Sequence, residues 1–356
     1  MRLLICAGGT GGGVYPALTV TQELDKNQHQ VLWVGSEGGM EADLVARAGL
    51  EFKAILAAGV HGVSLAKLPG NLAKLVRGYQ QSKKILKEFQ PDVLFFTGGY
   101  VAIPMALAGR KVKSLLYVPD IEPGLALKTL ARFSDQIALT TPLSKKWFSE
   151  KKNMTVTGYP LRDDIKKWEK PEARAYFRLE PNLPTILFMG GSSGARSINQ
   201  AVVGILDRLI EKYQVIHITG HLDWENVQAA TANARDHYHA FPYLHEIGAA
   251  LAAADLAVSR AGASTLGEYP YFGLPAILVP YPYAWRYQKV NADYLVERGA
   301  AALLRDEDLK TDLLGLINDL LANPAYLAHM SRAMSALAEP MAAERIAELL
   351  FEMTEA

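Results

Sequence analysis

Four glycine-rich turns, each directly after a short apolar run, restrict this chain more than any other feature. They are Gly8-Gly-Thr-Gly-Gly-Gly13 after Leu3–Cys6, Thr97-Gly-Gly-Tyr100 after Val93–Phe96, Gly190-Gly-Ser-Ser-Gly194 after Thr185–Met189, and Arg260-Ala-Gly262 after Leu256–Ser259. An uninterrupted apolar run this short suits a strand buried on both faces of a parallel sheet. Glycine in the following turn permits positive φ and lets backbone approach a ligand closely. Singly, each turn reads equally well as a tight strand–helix junction. Together, two in each half of the chain, they point to ligand sites at the carboxyl ends of parallel strands.

The same alternation runs through the whole sequence. Further strands are expected at Val31–Val34, Phe52–Ile55, Ser114–Tyr117, Gln136–Leu139, Met154–Thr157, Val215–Thr219, Ala276–Val279 and Ala301–Leu304. Helical patterns fall at Pro16–Asp25, Glu41–Ala48, Asn71–Phe89 and Leu125–Arg132, and Leu309–Leu321 and Ala342–Met353 close the chain. Such alternation marks doubly wound parallel sheets. A charged, proline-bounded passage from Pro160 to Pro184 reads as a linker with a short helix, and 356 residues are too many for one comfortable core. The expected architecture is α/β: two Rossmann-like domains, 1–160 and 161–340, whose parallel sheets face across a cleft. The terminal helix 341–356 is a candidate to pack back on the first.

Composition excludes several functions. Lys+Arg and Asp+Glu number 37 each, so no global field argues for nucleic acid as a partner. The single cysteine, Cys6, excludes an internal disulfide and fits a reducing compartment. Met1-Arg-Leu-Leu-Ile-Cys-Ala is too short for a signal peptide, and no apolar stretch approaches the roughly 20 residues of a membrane span, so a cytoplasmic location is expected. The first glycine turn would need glycine at position 14 to match the dinucleotide fingerprint, and that residue is Val14. No Gly-Lys-Ser/Thr and no Gly-x-Ser-x-Gly occurs either. Dehydrogenase, nucleotide-sugar epimerase, P-loop and hydrolase chemistries are therefore disfavoured. His217 with His221, and His237-x-His239, lack a cysteine or clustered carboxylate, so no metal site is expected. Asp306-Glu-Asp308 resembles a metal-binding Asp-x-Asp, yet it stands before a helix, where Asp308 reads as an N-cap.

Asp255 to Glu268 carries the sharpest chemistry. After the Leu256–Ser259 run a helix is expected from near Ala263, and a helix N-terminus offers free N–H groups and partial positive charge to a diphosphate. Glu268 would lie about 6 Å deeper along the axis than Ser264, placed to accept hydrogen bonds from a ribose diol. On these residues alone, an ordinary βα unit with a surface glutamate weighs the same.

The motifs taken in order resemble the MurG branch of glycosyltransferase family 28. They are Gly8–Gly13 with Pro16, Thr97-Gly-Gly-Tyr-Val101, Gly190-Gly-Ser-Ser-Gly-Ala-Arg196 with Asn199, Ser259-Arg-Ala-Gly-Ala263 with Glu268, and Gln288-x-x-Asn291. The resemblance covers essentially the whole chain. It implies a GT-B fold and an inverting enzyme, metal-independent in its chemistry and without a cofactor. Such an enzyme moves N-acetylglucosamine from UDP-GlcNAc, a substrate, to a lipid-linked muramyl peptide in peptidoglycan synthesis. Carried over residue by residue, it assigns Glu268 to the ribose and the Ala263, Ser264 and Thr265 N–H groups to the diphosphate. Gly191, Ser192 and Ser193 would cover the phosphates, Arg162 would lie near the donor, Leu244 would read uracil through its backbone, and Gln288 would touch the sugar. Acceptor contacts are implied for Thr10, Gly11, Gly12, Gly13, Gly98, Gly99, Tyr100 and Asn291.

Three departures from the family pattern fall around the acceptor and the sugar. Gly13 replaces the histidine that ends the first loop, Val118-Pro-Asp120-Ile-Glu122-Pro-Gly124 replaces Glu-Gln-Asn, and Trp285-Arg-Tyr-Gln288 replaces Asp-x-x-Gln. Inverting transfer needs a base for the acceptor hydroxyl. With Gly13 unable to act, Asp120 is the candidate and Glu122 the reserve; turn chemistry is the competing account of Asp120. A different lipid or soluble acceptor, or a silent nucleotide-sugar binder, remain as alternatives. Leu65 to Phe89 mixes Leu68, Leu72, Leu75 and Val76 with Lys67, Lys74, Arg77, Lys83, Lys84 and Lys87. That stretch reads either as a peripheral dock on the anionic inner face of the cell membrane or as a domain helix with a solvated lysine face.

Overall fold

The computed structural model describes residues 1–8, 11–24, 28–59, 68–191, 194–234 and 237–355, with backbone alone at 11, 68 and 284–286. It divides into two compact units, Met1–Pro160 with Pro340–Ala356, and Leu161–Glu339.

In the first unit, strands β1 (Arg2–Ala7), β2 (Gln30–Ser36), β3 (Glu51–Ile55), β4 (Val93–Gly98), β5 (Lys113–Val118), β6 (Gln136–Leu139) and β7 (Asn153–Val156) form one parallel sheet. Their order is β3-β2-β1-β4-β5-β6-β7. Helices α1 (Gly11–Gln22), α2 (Glu41–Arg47), α3 (Leu68–Phe89), α4 (Ala102–Ala108) and α5 (Leu125–Leu130) connect them. Leu3, Ile5 and Phe95 face one core, while Leu4, Cys6 and Phe96 face another. Burial on both sides explains why these strands read as continuous apolar runs rather than as alternation.

The second unit repeats the plan. Helices α6 (Asp163–Lys166) and α7 (Lys170–Tyr176) precede strands β8 (Thr185–Met189), β9 (Gln214–Ile218), β10 (Tyr238–Phe241), β11 (Leu256–Ser259), β12 (Ala276–Leu278) and β13 (Ala301–Leu303). These form a parallel sheet in the order β10-β9-β8-β11-β12-β13. Its further helices are α8 (Arg196–Ile210), α9 (Trp224–Ala230), α10 (Ile247–Ala253), α11 (Glu268–Phe272), α12 (Trp285–Val296), α13 (Leu309–Leu321) and α14 (Pro324–Ser335). The last helix, α15 (Ala342–Glu355), returns to the first unit, where Ile346, Leu350 and Met353 join the core around Leu3 and Ile5.

Strand order reverses between β1 and β4 in one sheet and between β8 and β11 in the other. Crevices open at the carboxyl ends of strands where such reversals occur. The described residues of the four glycine turns lie there, two turns to each reversal. In the first unit the pair touch through backbone: Gly99 has φ +87°, and a Cβ on it would come 2.5 Å from the Gly8 carbonyl oxygen. Only glycine satisfies both demands.

Three elements differ from the sequence expectation. Helix α1 begins at Gly11 rather than Pro16, because Val14, Ala17 and Val20 are fully buried and that packing overrides the poor helix propensity of glycine. The passage from Pro160 to Pro184 is no linker. Ile165, Ala173 and Phe177 are buried in the second unit, and Arg174 Nη2 meets Asp255 Oδ2 at 2.6 Å. Strand β10 went unread, since an edge strand of sequence Tyr-His-Ala-Phe has no apolar run to show.

If α15 completes the first core, Leu350→Ala should cost about 2–5 kcal/mol of unfolding free energy, as buried leucine truncations do. Urea denaturation followed by circular dichroism checks this, and a loss below 1 kcal/mol would contradict the placement.

Candidate functional site

Beyond β11 the chain does not enter a long helix. Ala263–Leu266 is a single 3-10 turn starting from Gly262, and the short α11 follows after Gly267. Thr265 is buried in this turn: its N–H and its Oγ1 both donate to the Gly262 carbonyl, at 3.1 and 2.7 Å. The expectation that Thr265 offers its N–H to a ligand is therefore corrected, since 3-10 geometry bonds each residue to the third before it. The N–H groups of Ala263 and Ser264 are the ones that remain for an anion.

Glu268 follows at once. The Ser264 hydroxyl and the Arg162 guanidinium lie close enough to its carboxylate to favour the charged form. Burial outweighs both and pushes its pKa above the ordinary carboxylate range. A half-buried carboxylate whose charge burial penalises more than its neighbours favour it marks a candidate functional position.

The turn is locked from below. Tyr269, fully buried, donates to Ser259 Oγ at 2.6 Å, and fully buried Asn291 donates to the Ala261 carbonyl at 3.1 Å. Asn291, expected among the acceptor contacts, instead serves this turn in the second unit. Arg260 reaches furthest: Nη1 meets Asp306 Oδ1 at 2.5 Å and the Val279 carbonyl at 3.1 Å, while Nη2 donates to Ser197 Oγ at 2.7 Å. Ser197 in turn donates to Asp306 Oδ1 at 2.7 Å. Asp306 is thus held by a guanidinium. Asp308 stands at the N-cap position of α13, as its place before the helix suggested, but its side chain makes no cap bond and instead pairs with Arg305 at 2.7 Å.

The glycine loop after β8 is set by close approaches. Gly191 and Gly194 have φ of +82° and +77°, and a Cβ on Gly194 would strike the Thr219 carbonyl. That carbonyl accepts from Asn199 Nδ2 at 2.9 Å, which also donates to Asp223 Oδ2 at 2.9 Å. Asn199 Oδ1 is then the acceptor for His217 Nε2 at 3.0 Å, leaving His217 Nδ1 to accept from the Tyr238 hydroxyl at 2.9 Å. Burial drives the His217 pKa down to about 3, so the ring is neutral and structural. Ser192 and Ser193 lie outside the described residues, as does Thr10.

The remaining donor candidates are arranged around this unit. Arg162 is half-buried and pairs with Asp164 at 3.4 Å. Leu244 lies in the loop after β10, half-buried. Gln288 Oε1 accepts from the Tyr281 N–H at 2.7 Å, so part of its capacity fixes its own loop.

In the first unit, Gly11, Gly12 and Gly13 form the opening turn of α1, and the Thr97 hydroxyl donates to the Gly13 carbonyl. Gly98 ends β4 and Gly99 follows it, both with positive φ, and Tyr100 beyond them is exposed. Asp120 is half-buried past the end of β5, close enough for its charge to add to the burial and the Tyr159 charge that raise the Tyr117 pKa. Glu122 is buried 3.5 Å from Lys128 Nζ, which lies over the Trp147 ring. Sequence reasoning missed Arg260, Ser197, Asp306 and Tyr269 as supports. Their partners stand 10 to 109 residues away in the chain, and no local pattern announces them.

Residues 3–139 match the N-terminal domain of glycosyltransferase family 28, and residues 185–346 match its C-terminal domain. A Desulforamulus reducens protein named UDP-N-acetylglucosamine–N-acetylmuramyl-(pentapeptide) pyrophosphoryl-undecaprenol N-acetylglucosamine transferase is 40% identical, over 96% of each chain. One of the same name from Roseiflexus sp. is 38% identical over 98% of this chain and 94% of its own. The crystal structure of MurG from Acinetobacter baumannii superposes with a TM-score of 0.79 at 25% identity, over 99% of both chains. Two domain matches in order, over a pair of parallel sheets with glycine turns at each strand-order reversal, place the chain in glycosyltransferase family 28.

Proposed function

We propose that this chain is an inverting hexosyltransferase that moves N-acetylglucosamine from UDP-GlcNAc to the N-acetylmuramyl-(pentapeptide) pyrophosphoryl-undecaprenol for which its relatives are named. The observation that carries this is the Ala263–Glu268 turn. Two free backbone N–H groups there precede a desolvated carboxylate, all on a rigid base within the family's C-terminal domain match.

The donor is assigned to the second unit. Ala263 and Ser264 meet the diphosphate through N–H groups, Glu268 accepts from the ribose hydroxyls, Leu244 reads the base through its backbone, and Arg162 adds positive charge. As the acceptor hydroxyl attacks C1, the C1–O bond to the diphosphate breaks and UDP departs with the electron pair. Those N–H groups and Arg162 stabilise the charge without reorganising. The acceptor proton passes to Asp120, which keeps solvent access, whereas Glu122 is enclosed with Lys128. Gly12, Gly13, Gly98, Gly99 and Tyr100 are assigned to the acceptor.

No described helix is long and apolar enough to cross a membrane. Helix α3 nevertheless exposes Leu72 and Val76, at 50% and 58%, beside exposed Lys74, Arg77, Lys83, Lys84 and Lys87. An apolar edge with a basic rim supports peripheral binding to an anionic membrane, where a polyprenol-linked acceptor resides.

Four outcomes test this reading. Glu268→Gln should weaken UDP binding about 10- to 100-fold, the worth of a charge-assisted hydrogen bond, by isothermal titration. The same variant should melt no lower than the parent at pH 8. A raised carboxyl pKa stabilises the fold below the unfolded value and forfeits that stability as pH rises through the folded value, so the amide loses nothing there. Equal UDP affinity would remove Glu268 from the donor site. Asp120→Asn should lower kcat by about 10²- to 10⁴-fold with UDP affinity intact, and unchanged turnover would acquit it as the base. Leu72→Glu with Val76→Glu should abolish sedimentation with phosphatidylglycerol vesicles; undiminished binding would place the membrane contact elsewhere.

A further inference from the structure

The segment just after β12 concentrates exposed aromatic surface: Tyr281 is 41% exposed, Tyr283 90%, and Tyr287 on the first turns of α12 is also exposed. Singly exposed tyrosines need no explanation, but a cluster of rings left in water marks a contact surface. This one is built rather than incidental. The Tyr281 and Tyr283 rings meet at 5.4 Å with an interplanar angle of 60°. Beneath Tyr281 lies the Arg260 guanidinium, 5.3 Å from the ring centroid, itself fixed by Asp306, Ser197 and the Val279 carbonyl. The Tyr281 N–H is tied to Gln288 Oε1 at 2.7 Å, so backbone and ring are both held.

Its position gives it an occupant. Arg260, which supports the ring, is followed within three residues by the Ala263 N–H assigned to the diphosphate. Asn291 docks α12 onto that same turn through the Ala261 carbonyl, and Gln288 stands one helical turn before Asn291 on the same face. A sugar is joined to a diphosphate by one oxygen, so its ring must lie within a few bonds of the turn that holds the phosphates. The apolar C–H face of a pyranose is the part of a nucleotide sugar that an aromatic ring can cover.

We propose that Tyr281 and Tyr283 form a shelf that takes the pyranose ring of the nucleotide sugar by stacking, and that they determine which sugars are accepted. This rests on the assignment of the Ala263–Glu268 turn to the diphosphate. Tyr281 and Tyr283 contribute to the sugar and not to the nucleotide, so their loss separates the two affinities. Arg260 polarises the ring from below and keeps it from turning aside when the shelf is empty.

The test is titration of the full chain with UDP and with UDP-GlcNAc. Tyr281→Ala and Tyr283→Ala together should weaken UDP-GlcNAc at least tenfold and leave UDP within twofold, with a matching rise in KM for the donor. Phenylalanine at both positions should restore the donor affinity, because stacking needs the ring and not the hydroxyl. Equal weakening of both ligands would show the tyrosines to be mere supports of the loop and overturn the proposal. So would donor binding unaffected by either alanine. If the unaltered chain bound neither UDP nor UDP-GlcNAc, the donor-site assignment itself would fall, and the shelf with it.

Discussion

One guanidinium ties together the ligand-facing segments of the second unit. Arg260 leaves the end of β11 and joins the start of α8 through Ser197, the turn before α13 through Asp306, and the exit of β12 through the Val279 carbonyl. The planar fork of arginine suits this, since it donates in several fixed directions at once, where a lysine would offer a single point charge. The ion pair is only partly exposed, so removing either partner would leave the other charge poorly compensated. The consequence is directional. With Tyr269 on Ser259 and Asn291 on Ala261, the Arg260 brace fixes where the Ala263 and Ser264 N–H groups point before any anion arrives. Donors that need no reorganisation are the ones that lower a barrier.

Two perturbed titratable groups in this unit, buried His217 and half-buried Glu268, show how perturbation divides between structure and function. His217 is driven far below its ordinary pKa, yet both ring nitrogens are satisfied, by Tyr238 and Asn199, and its partners hold the carbonyl against which Gly194 packs. Nothing is left over for a ligand. Glu268 is shifted the opposite way by burial, and its carboxylate, with the Ser264 hydroxyl beside it, has about four acceptor positions. A group that destabilises the fold when charged and keeps unused acceptor capacity is what a diol-binding carboxylate requires. The shift alone does not make that distinction; the hydrogen-bond inventory does.

Much of the fold was legible because parallel sheets expose their logic in one dimension. Gln136–Leu139, Thr185–Met189 and Leu256–Ser259 fall where the apolar runs placed them, since strands buried on both faces have no polar alternation to obscure their ends. The family's two domains were legible for the same reason, through glycines required at strand ends. What stayed hidden depended on tertiary contact. The start of α1 was masked by glycines whose propensity is poor, and the passage after Pro160 looked like a linker because its few apolar residues are spread between charges. The 3-10 turn at Ala263 read as a helix because sequence cannot weigh Gly267 against the packing that divides the element there. Side-chain braces such as Arg260 with Asp306 span 46 residues and leave no periodic trace.

The departures from the family pattern then acquire a physical sense. In the proposed donor site, nucleotide recognition runs through backbone N–H groups on a turn held by Arg260, Asn291 and Tyr269, so a change at any of these disturbs all of them. A proton acceptor is less constrained: imidazole and carboxylate both serve, provided one stands within reach of the hydroxyl. At Gly13 space is not what forbids a side chain, because a Cβ there would lie 3.4 Å from the Thr97 carbonyl, an ordinary contact. The loop past β5 meanwhile offers two carboxylates in place of the family's Glu-Gln-Asn. Glu122 is spent on Lys128 under the Trp147 ring, which anchors that loop, and Asp120 two residues earlier keeps contact with solvent. With Asp120 as the proposed base, an anchored loop bearing an accessible carboxylate is a means of moving the base without touching the proposed donor site.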